Sequence, residues 1–238
     1  MKIWKRFLAL GLVTIITAMM FVGCGSSDIS EGVAKNDYPI TINGVTLNSQ
    51  PTGVAVLSQN IADVILTGGF EATLKAKSED CTQEDLSILP NLTIDDVQEM
   101  KNLGVTLVLV DAAPTEQQTA ALEAQGIQVL AISPAKSRDD CKRLYREVGS
   151  AMVGGNTGYT KGEKACDNVF YTLDDITRLV PSTGTQYTAC YLYDLEGHVA
   201  TGNSLFGSLI SYAGFFNSFG NELNNQIDIN NLLVANPY

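Results

Sequence analysis

The chain has 238 residues, of which 45% are hydrophobic and 17% charged, and its formal net charge is −11. A chain of this length and composition can bury a core that folds without cross-links, and it is neither disordered nor a multi-span membrane protein. The negative charge argues against a nucleic-acid partner, because phosphate backbones are bound by basic surfaces. The single histidine, His198, argues against a metal site built from several imidazoles.

The first 23 residues predict a secretory signal peptide. Three basic residues, Lys2, Lys5 and Arg6, precede a mostly apolar run from Phe7 to Val22. At 1.5 Å per residue this run spans about 24 Å, which is less than the ~30 Å hydrocarbon core of a bilayer. A retained transmembrane helix is therefore the weaker interpretation.

The end of the apolar run resembles a bacterial lipobox, in which a small residue precedes a cysteine that is acylated and becomes the new N-terminus. Gly23 and Cys24 occupy these places, while Phe21 stands where the lipobox usually has an aliphatic residue. The resemblance implies lipidation at Cys24 and a protein anchored to the cell membrane, outside the cytoplasm. The small and polar stretch Gly25–Gly32 predicts a flexible tether over residues 24–37.

Four further cysteines remain: Cys81, Cys141, Cys166 and Cys190. An even number in an exported chain permits two disulfides in three connectivities, and no sequence spacing favours any of them. Four buried thiols are the alternative, because cysteine packs like a small hydrophobic residue.

The body of the chain alternates predicted strands with predicted helices. Asn43-Gly44 between two short apolar runs predicts an opening β-hairpin. Predicted strands then cover residues 53–57, 71–76, 107–110 and 127–132, and predicted helices cover residues 61–67, 94–102, 115–125 and 137–153. This order predicts a mostly parallel sheet with helices on both faces and ligands at the carboxyl ends of its strands.

A long amphipathic helix is predicted over residues 159–180, and Pro181 ends it. The glycine-rich segment Gly155–Gly162 lacks the ending of a phosphate-binding loop and follows no strand, so it predicts a hinge-like linker. Residues 187–193 predict a further strand. The helix is therefore expected to join two unequal parts of the chain.

The order of these elements resembles the substrate-binding lipoproteins of ABC importers for cobalamin, haem and iron–siderophore complexes. The resemblance rests on the segments Gly53–Gly69, Leu107–Asp111, Gly126–Leu130, Ala200–Ser204 and Tyr212–Gly214. It implies an α/β fold with two α/β lobes joined by one long helix. It also implies a monomer that performs no catalysis, needs no cofactor, binds a small-molecule ligand and delivers it to an ABC permease.

The implied division of the chain has three parts after the tether. A first α/β lobe covers residues 38–155, a connecting helix covers residues 156–180, and a partial second lobe covers residues 181–238. In the resembled family a further strand and helices follow the segment at Asn230–Pro237, whereas this chain stops at Tyr238. The second lobe is therefore expected to be incomplete, as in a truncated gene product or a fragment.

The resemblance also implies where the ligand lies, namely between the lobes against three loops. The corresponding residues are Ser58, Gln59 and Asn60, then Asp111 and Ala112, and then Thr201, Asn203 and Ser204. The first two groups directly follow predicted strands, where helix N-termini offer free N–H groups. Ordinary helix capping is the alternative interpretation of the same residues.

Members of this family dock on the permease through one glutamate in each lobe. Gln98 and Asn230 stand at those places, and uncharged amides do not pair with arginines. The neighbouring acids Asp95, Asp96 and Asp228 are candidates to replace them. The missing glutamates leave open a second function, a surface lipoprotein that uses the fold for non-transport interaction or sensing.

The composition of the second lobe bears on the ligand. Residues 179–238 contain no lysine or arginine, which argues against a polyanionic catecholate siderophore. Eight of this segment's aromatic residues suit a haem or corrinoid, although core packing is the alternative: Tyr187, Tyr191, Tyr193, Phe206, Tyr212, Phe215, Phe216 and Phe219.

Two features argue against catalysis or metal ligation in the second lobe. The segment Gly202–Gly207 misses the nucleophile-elbow pattern by one residue. His198 lies in Glu196-Gly197-His198, a predicted hairpin turn that would leave it exposed to solvent.

Overall fold

The computed structural model describes residues 37–179 and 187–235. The predicted signal peptide, Cys24, nearly all of the predicted tether and Pro181 lie outside the described residues. Within the described ranges, none of the helices combines the length and the apolar character that a membrane span requires.

The fold opens with the predicted hairpin. Strands β1 (Ile40–Ile42) and β2 (Val45–Leu47) pair antiparallel. Asn43 and Gly44 join them with φ values of 49° and 83°, the left-handed conformation that a tight hairpin turn requires. The hairpin buries one side chain from each strand in the core, Ile42 and Leu47.

A four-stranded parallel sheet forms the centre of the described chain, in the order β4-β3-β5-β6. Its strands are β3 (Val54–Val56), β4 (Leu74–Lys77), β5 (Leu107–Val110) and β6 (Gln128–Ala131). All four residues of β5 are buried, which explains their uninterrupted apolar sequence.

Helices cover both faces of this sheet, as the alternating pattern predicts. On one face lie α1 (Gln59–Gly68) and α4 (Arg138–Val153), and on the other α2 (Val97–Asn102) and α3 (Glu116–Glu123). Successive side chains of β5 point to opposite faces of the sheet. Leu107 and Leu109 pack in the core beneath α1 and α4, and Val108 and Val110 pack in the core beneath α2 and α3. The sheet is thus enclosed between two layers of helices.

Three predicted boundaries are wrong. Residues 71–73 form a 3₁₀ turn, so β4 begins only at Leu74. Helix α2 begins at Val97 and not at residue 94. Residues 93–96 instead form a turn, in which the Asp96 carboxylate accepts hydrogen bonds of 2.7 Å from the Thr93 N–H and the Thr93 hydroxyl. Of the predicted strand 187–193, only β7 (Thr188–Ala189) forms, because Leu192 instead pairs antiparallel with Val199.

The long helix α5 (Gly155–Leu179) is present, but the glycine-rich segment before residue 163 is its first two turns and not a hinge-like linker. Asp37 caps this helix: its Oδ1 accepts the backbone N–H groups of Asn156 and Thr157, at 2.9 and 3.3 Å. The prediction failed because glycine disfavours a helix in isolation, whereas here tertiary contacts favour it.

Close packing of α4 against α5 explains these glycines. A Cβ atom on Gly158 would lie 2.0 Å from the carbonyl oxygen of Gly149, and one on Gly162 would lie 2.1 Å from that of Tyr145. Neither distance is possible for a real side chain, so only glycine allows the two backbones to approach this closely. Helices α4 and α5 consequently form a tightly packed antiparallel pair.

The C-terminal segment, residues 187–235, has a much smaller core. Strand β7 pairs in parallel with β8 (Phe216–Asn217), and the helices are α6 (Leu205–Tyr212) and α7 (Asn230–Ala235). Three buried side chains form the centre of this segment: Val199, Phe219 and Ile227.

Candidate functional site

A pocket of about 690 Å³ lies at the carboxyl edge of the parallel sheet, where β3, β4 and β5 end. This volume falls within the roughly 300–1,000 Å³ that is typical of small-molecule sites. The lining residues are Leu57, Ser78, Glu79, Asp80, Leu92, Thr93, Ile94, Val110, Asp111, Ala112, Pro114 and Gln118.

The strand ends hold the walls of this pocket in place. Leu57 follows β3 and donates its N–H to the carbonyl of Leu109, at 2.9 Å. Ser78 follows β4 and donates its N–H to the carbonyl of Val56, at 3.0 Å. These bonds extend the sheet ladder to the pocket, so the backbone of the site is rigid at two of its edges.

Asp111 is fixed against the start of α1. The Ser58 hydroxyl donates a hydrogen bond of 3.1 Å to Asp111 Oδ2 and accepts the N–H of Ile61 at 3.4 Å. Ser58 is 1% exposed, so its hydroxyl is a buried helix cap that also orients the carboxylate at the pocket wall. The structure thus brings together the first two predicted contact groups at one sheet edge.

The predicted contact residues differ in how they meet the pocket. Asp111 and Ala112 line it, whereas Ser58 is a capping residue behind Asp111. Gln59 and Asn60 form the first turn of α1, are exposed and lie outside the lining. Their role as ligand contacts remains a prediction.

Sequence reasoning missed the loops at residues 78–80 and 92–94. These residues supply half of the lining. Their sequence has no periodicity or motif, so it predicts only a polar loop between two elements. Only their position in the chain could have identified them as pocket residues. They lie between β4 and α2, at the carboxyl edge of the sheet, where ligands of parallel sheets bind.

The lining is acidic on one part of its surface and apolar on the rest. Glu79, Asp80 and Asp111 contribute carboxylates, and the lining residues include no lysine or arginine. Lys77 is nearby in sequence but is buried, and its Nζ donates to Asn91 Oδ1 at 2.7 Å. The pocket therefore presents negative charge, which favours a neutral or cationic ligand over an anionic one.

The third predicted contact group lies in a hydrogen-bonded loop before α6. Ser204 caps α6 by accepting the Gly207 N–H at 3.0 Å, and its hydroxyl donates to the carbonyl of Thr201 at 2.8 Å. Asn203 Oδ1 accepts the Asn224 N–H at 3.1 Å. Thr201 and Ser204 are buried, so this loop is internally satisfied, and none of its residues lines the pocket.

An exposed aromatic cluster stands next to that loop. Tyr191 and Phe206 are stacked with centroids 4.7 Å apart, and Tyr193 meets both rings edge-on at 5.3 and 5.9 Å. All three rings are more than two-fifths exposed, whereas Phe219 is buried. Core packing thus explains Phe219 but not this cluster, which leaves three aromatic side chains at the surface.

The residues at the predicted permease-docking places lie on the surface. Gln98 donates to Asn102 Oδ1 at 3.1 Å, and Asn230 donates to Asp228 Oδ1 at 2.9 Å. Asp95 accepts the side chain of Gln118 at 3.0 Å. The hydrogen bonds from Thr93 lower the pKa of Asp96 below its ordinary value.

His198 lies in the predicted hairpin turn. The donor atoms of Asp194, Glu196 and His198 fall within 4.8 Å of one another. Asp194 Oδ1 accepts the backbone N–H groups of Glu196 and His198, and its Oδ2 lies 2.5 Å from His198 Nδ1. The His198 side chain is 46% exposed. The group is therefore a solvated turn and carries no inference of a metal site.

Comparison with known proteins gives matches among solved structures only. No protein-family model matches the sequence. The comparison with curated proteins gives no significant match either. A possible iron-binding (periplasmic solute-binding) protein from Staphylococcus epidermidis matches 79% of this chain and 76% of its own, with a TM-score of 0.63 and 14% identity.

Two further structures match over similar lengths. The periplasmic heme-binding protein RhuT from Roseiflexus sp. RS-1 matches 80% of this chain and 74% of its own, with a TM-score of 0.59 and 20% identity. The periplasmic vitamin B12 binding protein BtuF of Vibrio cholerae matches 79% and 74%, with a TM-score of 0.57 and 17% identity. The chain therefore has the two-lobe α/β fold of these binding proteins, which confirms the predicted fold class and resemblance.

Proposed function

We propose that this chain is an extracytoplasmic, lipid-anchored solute-binding protein of an ABC importer. The observation that carries the proposal is the 690 Å³ pocket at the carboxyl edge of the parallel sheet, where this architecture collects ligands. The fold supports it, since the matched structures are described as binding iron, heme or vitamin B12. The function consists of binding and release, without covalent chemistry.

The proposed ligand is a metal complex with no net charge or a positive one. Glu79, Asp80 and Asp111 would repel a polyanionic catecholate and the propionates of haem. Cobalamin and cationic ferric hydroxamate complexes avoid that repulsion. The apolar part of the lining, with Leu57, Leu92 and Ile94, suits the hydrocarbon surface of either ligand.

The proposed second contact surface lies in the lobe predicted over residues 181–238. The stacked rings of Tyr191 and Phe206 suit the flat side of a macrocycle, and the Thr201–Ser204 loop adjoins Phe206 in sequence. Under this proposal the ligand contacts this surface while it occupies the pocket of the lobe predicted over residues 38–155.

The proposed partners are a membrane, reached through acylated Cys24, and an ABC permease, reached through the surfaces around Gln98 and Asn230. A monomer suffices for both contacts. The connecting helix, residues 156–180, would hold the two lobes at a nearly fixed distance, so ligand binding requires little movement.

A second candidate is a surface lipoprotein that binds a ligand for sensing or interaction. The amides of Gln98 and Asn230 favour it, because both are engaged with Asn102 and Asp228 and carry no charge for a permease arginine. A permease gene beside the gene for this chain, whose product co-purifies with the ligand-bound chain, would support import. The lack of such a neighbouring gene, or the failure of its product to co-purify, would support this alternative.

A thermal-shift experiment tests the proposed function. The full lipid-anchored chain is heated in detergent with cobalamin, a cationic ferric hydroxamate, an anionic ferric catecholate or haem. We expect the first or second ligand to raise the melting temperature by several degrees, because a ligand that binds only the folded state stabilises it. Unchanged melting with all four ligands would contradict the proposal.

A charge variant sharpens this test. We expect Glu79→Gln to weaken binding of the cationic hydroxamate complex more than binding of neutral cobalamin, because only the former is attracted by the lost carboxylate. Glu84→Gln is the matched control, since Glu84 is also exposed but lies outside the lining. Equal effects of the two substitutions would contradict the electrostatic assignment.

A further inference from the structure

The tight packing of α4 against α5 follows a regular four-residue step. Gly149 of α4 meets Gly158 of α5, and four residues further Tyr145 meets Gly162, in each case with backbone atoms in contact. The helices are antiparallel, so each step moves backward along α4 and forward along α5. Residues four apart lie on one helix face, so these pairs mark a single seam.

The next step along this seam pairs Cys141 with Cys166. Cys141 lies four residues before Tyr145, and Cys166 lies four residues after Gly162. Cys166 is 1% exposed and Cys141 is half-buried, so both thiols belong to the helix interface. The fold thereby brings together two cysteines that no sequence spacing pairs.

The residues that follow the two cysteines confirm the register. Lys142 Nζ lies 3.1 Å from Asp167 Oδ1 and 3.1 Å from Glu163 Oε1. The two helices are therefore still in side-chain contact at the level of the cysteines. Burial, and after it the neighbouring Cys141 thiol, raises the pKa of Cys166 to about 11.

We propose that Cys141 and Cys166 form a disulfide that links α4 to α5 after export. The four cysteines within the described ranges are free thiols in the structure. The pairing selects one bond from the connectivities that four cysteines allow. It also closes a short loop, since only the two helices and their connection lie between the linked residues.

The reaction requires a disulfide co-reactant, such as the disulfide form of a thiol–disulfide oxidoreductase outside the cytoplasm. The Cys141 thiolate attacks one sulfur of that disulfide, forms a mixed disulfide and releases one thiolate. The Cys166 thiolate then attacks Sγ of Cys141 and releases the second. The two cysteines lose two electrons, the co-reactant gains them, and the two cysteine protons pass to its thiolates.

The timing of this bond follows from burial. In the folded chain the pKa of Cys141 and that of Cys166 are raised, chiefly by burial, so little thiolate is present at neutral pH. We therefore expect the bond to form while α4 and α5 are still closing on each other, when both thiols are accessible.

The other two cysteines remain thiols in this proposal. Cys81 is fully buried, with its Sγ 3.2 Å from the Ser78 hydroxyl and 3.8 Å from the carbonyl oxygen of Val56. Cys190 lies in the C-terminal segment and packs on the small core of Val199 and its neighbours. They belong to different cores.

Peptide mapping tests the proposal on the full chain, expressed with its own signal peptide in an exporting bacterium. Cells are quenched with acid, and the precipitated protein is dissolved in denaturant at neutral pH with N-ethylmaleimide, which blocks the free thiols. The purified chain is then digested with trypsin without reduction. We expect a linked pair of peptides, residues 139–142 joined to residues 165–178, that separates on reduction. N-ethylmaleimide on both Cys141 and Cys166, or a link to Cys81 or Cys190, would overturn the proposal.

Two variants give a second readout. We expect dithiothreitol to lower the melting temperature of the wild type and of Cys190→Ser by several degrees, because reduction frees the linked helices. Cys166→Ser should melt at the same temperature with and without dithiothreitol, and its Cys141 should react with N-ethylmaleimide. An equal response of all three proteins to reduction would contradict the assignment.

Discussion

Arg138 binds Asp174 through both terminal guanidinium nitrogens, with Nη1 2.7 Å from Oδ1 and Nη2 2.9 Å from Oδ2. The guanidinium carbon also lies 4.6 Å from the ring centroid of Phe170 and 5.2 Å from that of Tyr212, and Nη1 donates to the Tyr212 hydroxyl. Arg138 begins α4, Asp174 lies in α5 and Tyr212 ends α6. One side chain therefore joins three helices.

Replacing this arginine by lysine should destabilise the fold although the charge is kept. Arg138→Lys loses the bidentate pairing with Asp174 and the stacking on the rings of Phe170 and Tyr212. Both contacts need a planar guanidinium group, and the lysine ammonium group is not planar. We expect the melting temperature to fall by a few degrees. Arg178→Lys is the control, since the Arg178–Asp175 pair is exposed and should tolerate the change. Equal melting of both variants would contradict this account.

The same pair predicts a dependence of stability on pH. The hydrogen bonds from Arg138 hold the pKa of Asp174 below its ordinary 3.8. A lowered pKa in the folded state stabilises the fold above the ordinary value, and this contribution is lost as pH falls through the lowered value. Between pH 5 and pH 2, the wild type should therefore lose more stability than Asp174→Asn, measured by chemical denaturation. Parallel losses would show that this carboxylate contributes nothing.

The seam between α4 and α5 predicts the cost of adding one methyl group. Gly158→Ala places a Cβ atom 2.0 Å from the Gly149 carbonyl oxygen, so the helices must separate. Overpacking of this kind costs about 3 kcal/mol, or roughly 6–12 °C in melting temperature. Asn168→Ala, at an exposed position of the same helix, should change stability by less than about 0.5 kcal/mol.

Much of the layered core could be predicted from the sequence, because local signals and burial agree there. The apolar run at Leu107–Val110 is a fully buried strand, and Asn43-Gly44 is the hairpin turn that these two residues favour. Ser58 caps α1, as the capping interpretation of its position predicts, and Ser137 caps α4 at the predicted start of that helix. In each case the conformation is decided by residues close in the chain.

The features that escaped prediction depend on residues far apart in the chain. Gly155–Gly162 is helical because it packs on α4, a contact that no local propensity encodes. Half of the pocket lining comes from loops without a motif, and their proximity to Asp111 appears only once the strands are placed side by side. The proposed pairing of Cys141 with Cys166 likewise rests on helix register and not on sequence spacing.

The predicted lipid anchor depends on one residue outside the described ranges. Cys24→Ala should move the chain from the membrane fraction to the soluble extracytoplasmic fraction and abolish incorporation of a labelled fatty acid, because acyl chains provide the anchoring energy. Cys190→Ala should leave both properties unchanged. Fatty-acid labelling that persists without Cys24 would contradict the lipobox assignment.

Binding measured by titration calorimetry on two neighbouring tryptophan variants tests the central claim most directly. Ala112 lines the pocket, whereas the adjacent Ala113, which is also exposed, does not. With the ligand that raises the melting temperature most, we predict that Ala112→Trp weakens affinity more than tenfold and that Ala113→Trp binds like the wild type. Wild-type affinity in Ala112→Trp would place the ligand elsewhere and contradict the account.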